Sequence, residues 1–296
     1  MPKKTFANKR PSPETSVGLE ANAGTGTKSS TRIVASTIIK ILLLLVWTGG
    51  VLFFVQFLLG FLFRAIYQNT ALSEAATQTA YSAISYLIAF CIIILVPLKL
   101  QTKNPKTPNM HKTAPSKAVV SSNYSTTKGL RAQLGLIGWP TWTDLALAPI
   151  GFIVYVVLAA IVTNLFNLFP WFDVTEVQQT GYNAILLGGD RLLAFIALVV
   201  IAPVAEELIF RGFLYGKIKR LIRRARTTNR FAIIISTLLV SILFGLMHGQ
   251  WNVGINVFTM SIVLCLLREV TGTTYAGIFL HVIKNLIAFY LIFILH

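Results

Sequence analysis

Hydrophobic positions along this chain gather into seven runs, at about 41–63, 79–98, 145–168, 192–210, 231–248, 255–267 and 275–295. The runs are continuous rather than alternating, and six are long enough to cross a bilayer as a helix, which takes about 17–25 residues. The pattern predicts an all-α, polytopic membrane helix bundle of about seven transmembrane helices. No internal repeat is evident.

The sixth run is the exception. Ile255–Leu267 spans 13 residues, or about 20 Å at ~1.5 Å per residue, against a hydrocarbon core of about 30 Å. The expectation is a short helix preceded by a turn, "HGQWNVG", held below the membrane surface. Non-helical backbone at that depth is tolerated where it is buried in protein or lines a wet cavity.

Polar positions alternate in character between the runs. Residues 1–32 carry six Lys/Arg, residues 99–131 carry seven with no acid, and residues 211–230 carry eight with no acid. The intervening segments hold Asp173, Glu176 and Asp190 against Arg191, or Glu74 against Arg64. By the positive-inside rule the amino terminus is cytoplasmic and the carboxyl terminus outside.

Four parts are expected. Residues 1–32 read as a disordered basic cytoplasmic tail without a secretory signal, followed by a retained first helix. Residues 33–98 form a two-helix membrane part, and 99–131 a flexible basic cytoplasmic linker. Residues 132–296 form a five-helix membrane domain.

Composition agrees with the pattern. Of 296 residues 55% are hydrophobic and 12% charged, about half the charged fraction of a soluble domain; mean hydropathy is +0.70. The net charge of +16 lies in blocks between the spans, so it orients a membrane protein and does not signal nucleic acid. Cys91 and Cys265 sit in apolar segments with no zinc or redox spacing.

Against this background a few polar residues stand out. In "APVAEELIFRG", Glu207 and Arg211 lie four apart on one helix face, a self-neutralising pair. Glu206 points about 100° away without a local partner, and Pro203, which cannot donate to Val199, is expected to kink the helix beside it. An uncompensated acid in a span costs about 2.5–3.5 kcal/mol on insertion scales and usually marks function. His248 ends "SILFGLMH", and His281 lies one turn before Asn285 in "HVIKN". Counted from the basic flank, three helices bring Glu206, His248, His281 and Asn285 to overlapping depths. Any one of these groups could be a satisfied interhelical contact; together they read as a site.

A carboxylate with two imidazoles suits two chemistries, a His₂Glu zinc centre or a metal-free general base that activates water. An amide nearby could stabilise the oxyanion of an attacked carbonyl. No serine or cysteine occupies a nucleophile motif.

The stretches "EELIFR", "FGLMH" and "HVIKN" resemble, in order, the E-E-x-x-x-R, F-x-x-x-H and H-x-x-x-N motifs of the CAAX-protease and bacteriocin-processing family, also called CPBP or Abi. This is a family of intramembrane glutamic endopeptidases. The resemblance covers a core at about 193–286. It implies Glu206 as the base activating water, assisted by His248, with His281 and Asn285 as the oxyanion hole. Glu207, Arg211 and Phe244 would support them. It further implies no cofactor and no catalytic metal, and a membrane-associated peptide or protein as substrate, CAAX-like or of bacteriocin or leader type. The expected setting is the lipid bilayer of a bacterial plasma membrane. Two other readings stand beside it: a non-catalytic immunity or scaffold protein that binds a peptide or partner in the same cavity, and a transporter with a protonatable glutamate.

Overall fold

The computed structural model describes residues 23–97, 126–173, 179–182 and 188–295. Seven of its helices are long and apolar enough to cross a membrane, and among the described residues there is no strand. The helices are α1 (Ala23–Asn69), α2 (Glu74–Leu95), α3 (Thr126–Gln133), α4 (Trp142–Phe166), α5 (Gly188–Arg224), α6 (Asn229–Leu246), α7 (Trp251–Thr271) and α8 (Tyr275–Phe293). The short α3 is not a span. The expected all-α membrane bundle is therefore observed, and the chain is an integral membrane protein.

α5 is the axis of the bundle. It touches α1, α2, α6, α7 and α8, while α4 closes the far side against α7 and α8. Its central residues Ile209, Phe210, Phe213, Leu214 and Tyr215 are all buried. The lipid side is apolar: Leu43, Val46, Phe53, Phe54 and Phe57 on α1, and Ile153, Val157 and Ile161 on α4, are exposed. A belt of that size matches hydrocarbon rather than water. Trp139 and Trp142 project at one end of α4, and Trp171 and Trp251 meet at the other with ring centroids 6.1 Å apart. Aromatic rings at both ends are what two membrane–water interfaces select.

Three boundaries differ from the sequence reading. α7 has 21 residues, about 31 Å of helix, so it spans without a submerged start. Its polar carboxyl-terminal end is paired: Lys219 Nζ contacts Glu269 at 2.6 Å, and Arg268 donates to the Gly272 carbonyl. The turn before α7 shortens to Met247–Gln250, with Gly249 in the left-handed region (φ +71°). Second, Thr126–Arg131, placed in the linker, begin α3, whose continuation is fastened to the α7–α8 turn by Thr274 Oγ1 donating to the Leu134 carbonyl (3.1 Å). The rest of that linker lies outside the described residues. Third, α1 is described from Ala23; the rest of the stretch read as a tail, residues 1–22, lies outside the described residues.

Candidate active site

The expected kink at Pro203 takes the form of a wide π-helical turn, Ile196–Ile201, ahead of the proline. The Ala202 N–H bonds to Ala197 O, five residues back instead of four. The next donor in that register would be residue 203, which as proline has no N–H, so the Leu198 carbonyl needs another partner. Asn285 supplies it, its Nδ2 donating to Leu198 O at 2.7 Å. Such turns occur often at functional sites, and this one sits one turn before the two glutamates. A second π segment, Leu208–Tyr215, follows them and carries Arg211.

Glu207 and Arg211 form the neutralising pair read from their spacing. Arg211 Nη1 lies 3.0 Å from Glu207 Oε1, and both side chains are completely shielded. The guanidinium stacks over the Phe244 ring, 4.3 Å from its centroid, a contact that strengthens when desolvated. Phe244 also meets Phe210 at 4.9 Å, His248 at 5.0 Å and His281 at 6.1 Å. The aromatic ring expected to support the site is thus wedged between its cation and both imidazoles.

His281 bridges the two acids. Its Nδ1 is 3.1 Å from Glu207 Oε1, and its Nε2 is 3.8 Å from Glu206 Oε2. With Nδ1 donating to the carboxylate of Glu207, Nε2 can also donate only when the ring carries both protons. His248 is held differently, with Nδ1 2.9 Å from the Phe244 carbonyl. A carbonyl only accepts, so Nδ1 carries the proton and the neutral ring has Nε2 free as an acceptor.

Glu206 is set apart by access. Its side chain keeps 14% of its surface, against none for Glu207 and 4% for His281. Its Oε1 accepts from the Tyr86 hydroxyl of α2. The structure therefore draws Glu206, Glu207, Arg211, Phe244 and His281 into one contact cluster, with His248 against Phe244 and within electrostatic reach of Glu206. Asn285 stands at the edge, engaged with α5 backbone rather than with the other site residues.

Two members escaped the sequence reading. Tyr86 belongs to the two-helix part outside the motifs, and nothing in its local sequence separates it from an ordinary interfacial tyrosine. Lys284 had a signal: an ammonium inside "HVIKN" is as costly in a span as the acids. It lies within electrostatic reach of Glu206 and His248.

Small residues let this cluster close. Cβ atoms built on Gly245 and Gly254 would each come within 3 Å of the other's carbonyl, so α6 and α7 cross backbone to backbone just below His248. At Gly277 an added Cβ would lie 3.0 Å from Glu207 Oε2. Arg211 and His281 both hold this carboxylate through Oε1, which restricts how far Oε2 can move. Gly277→Ala is expected to destabilise the protein by about 1–3 kcal/mol, read as a lowered unfolding midpoint in detergent.

The fold and site together define an integral membrane protein with an acid–imidazole centre enclosed by its own helices. In comparison with known proteins, residues 188–287 match the family model described as type II CAAX prenyl endopeptidase Rce1-like. The matched segment runs from the start of α5 into α8 and holds all three motifs, which bears out the resemblance read from them. At family level it supports a CAAX-type intramembrane protease. No curated protein and no solved structure matched the chain.

Proposed function

We propose that this protein is an intramembrane endopeptidase that hydrolyses a peptide bond of a membrane-associated, CAAX-like substrate with water activated by Glu206. The observation that carries this reading is the asymmetry of the two acids. Glu207 is enclosed and engaged by Arg211 and His281, while Glu206 alone keeps access and a free carboxylate edge.

The chemistry follows from the donors and acceptors available. Water gives its proton to Glu206, and the hydroxide attacks the scissile carbonyl. His248, with Nε2 as acceptor, orients the water or shares the proton. Charge builds on the carbonyl oxygen, where Nε2 of His281, acting as a donor, and the second N–H of Asn285 stabilise it. The first N–H of Asn285 stays on Leu198 O and fixes the amide. Glu206 then returns its proton to the departing amine, leaving a new carboxyl terminus and a new amino terminus. Glu207, Arg211 and Phe244 hold His281 in place and do not touch substrate. This route needs no metal.

Tyr86 fixes the orientation of the base. Tyr86→Phe removes one charge-assisted hydrogen bond from Glu206, a group worth about 1.5–3 kcal/mol, so kcat is expected to fall roughly 10- to 100-fold with KM little changed. The test is cleavage of membrane-anchored peptides, prenylated and unprenylated, by the full chain in nanodiscs, read by mass spectrometry. Preference for the prenylated set would establish the CAAX-like substrate class. Cleavage of neither set by folded protein, under conditions that preserve the bundle, would favour a binding role for the same site.

A further inference from the structure

Away from the glutamates, α5 ends in a strongly basic helix, Gly216–Arg224. Its cations divide by spacing. Lys217, Arg220 and Arg224 stand at i, i+3 and i+7 and so share one face. Lys219 lies on another face and is neutralised by Glu269 at 2.6 Å. Among the described residues the first stripe has no such acid. It lines a cavity of about 540 Å³ between α5, α1 and the end of α2, and Lys40 of α1 enters from the opposite wall. Among the described residues that line it, four are cations and none is a carboxylate. Lys217 Nζ lies 5.6 Å from the Phe213 ring centroid, and Leu44, Phe213 and Leu221 add apolar surface.

Four like charges around one concavity repel, and the packing of α1 on this end of α5 brings Lys40 towards the other three. An anion between them reverses the sign of each interaction. The location narrows its class. Lys40 immediately precedes the apolar run of α1, and Lys217 begins the polar end of α5, so the cavity sits where phospholipid headgroups meet acyl chains. The mixed lining suits a phosphate with a hydrocarbon continuation. Basic pockets between helices at this level are a known mode of anionic headgroup recognition, and guanidinium groups match phosphate oxygens bidentately.

We propose that this cavity binds the phosphate headgroup of an anionic glycerophospholipid, with Lys40, Lys217, Arg220 and Arg224 as its ligands and the acyl chains running down between α1 and α5. The site lies outside the peptidase chemistry. Most of its second wall comes from α1 and α2, beyond residues 188–287. A bound lipid there clamps α1 onto the same helix that carries Glu206.

The test uses the purified full chain and counts bound lipid by native mass spectrometry after exchange from phosphatidylcholine nanodiscs doped with phosphatidylglycerol. The double variant Lys217→Gln/Arg220→Gln is compared with Arg226→Gln/Arg230→Gln, which removes the same charge from the same end of the bundle but outside the cavity. Expected is a retained phosphatidylglycerol, preferred over phosphatidylcholine by about tenfold or more, which corresponds to ~1.4 kcal/mol. The cavity variant should lose that preference, and the control should keep it within about twofold. Inorganic phosphate in excess should not displace the lipid. Because the cavity variant removes repulsion, its unfolding midpoint in pure phosphatidylcholine should be no lower than wild type, and Lys217→Gln alone provides a milder version. Equal loss in both double variants would overturn the proposal in favour of diffuse surface attraction. Displacement by inorganic phosphate would overturn it in favour of a site for a free anion, and absence of any headgroup preference would overturn it outright.

Discussion

Glu206→Gln is expected to retain the fold and lose catalysis by about 10³-fold or more in kcat. Glutamine has the same shape and its amide oxygen still accepts from Tyr86, so the contacts of α2 with α5 survive. What disappears is the capacity to take a proton from water, and general base catalysis alone contributes about 10²–10⁴-fold. The paired control is Glu207→Gln. That change acts on the enclosed carboxylate, which holds His281 and faces Arg211, so it should lower stability as well as activity. The measurement is cleavage rate together with the thermal unfolding midpoint of each variant in the same nanodiscs. A Glu206→Gln protein that cleaves at wild-type rate would remove the general base assigned to this site.

The largest effect on stability is expected from Arg211. Both members of its pair with Glu207 are fully shielded, and breaking such a pair by removing one partner costs about 3–5 kcal/mol, because the other charge is left buried and alone. Arg211→Met should therefore unfold far below wild type. The double variant Arg211→Met/Glu207→Gln should recover a good part of the loss, since no uncompensated charge remains. It should not recover activity, because His281 then lacks the carboxylate that orients Nδ1. If the double variant were no more stable than the single one, the arginine would be acting through its packing on Phe244 instead of through charge.

The spans were legible because lipid imposes a simple rule: apolar residues must run on for the width of the bilayer. The rule misleads at α7, whose ends carry Asn252, Arg268 and Glu269. Hydropathy reads these as outside the helix, whereas Glu269, paired with Lys219 across helices, lies within it. The motif residues were legible for a related reason, that ionisable groups are rare in spans. Glu207 with Arg211 could be paired from spacing alone because the contact is local. The partner of Glu206 could not, since Tyr86 is 120 residues away and only the packing of α2 on α5 brings it in. Asn285 shows a further limit. Its spacing from His281 put both on one face, but the π turn ahead of Pro203 exposes a carbonyl that captures its amide. Lys284 was visible in principle, by the same reasoning that singled out the glutamates.

The central claim is that a carboxylate, not a metal, activates water in this bundle. The most direct measurement is cleavage of membrane-anchored peptides by the wild-type full chain in nanodiscs, with and without a strong chelator and with Glu206→Gln alongside. The account predicts cleavage that is indifferent to chelator and absent in the variant. Cleavage that stops with chelator and returns with zinc, or that persists in Glu206→Gln, would contradict it.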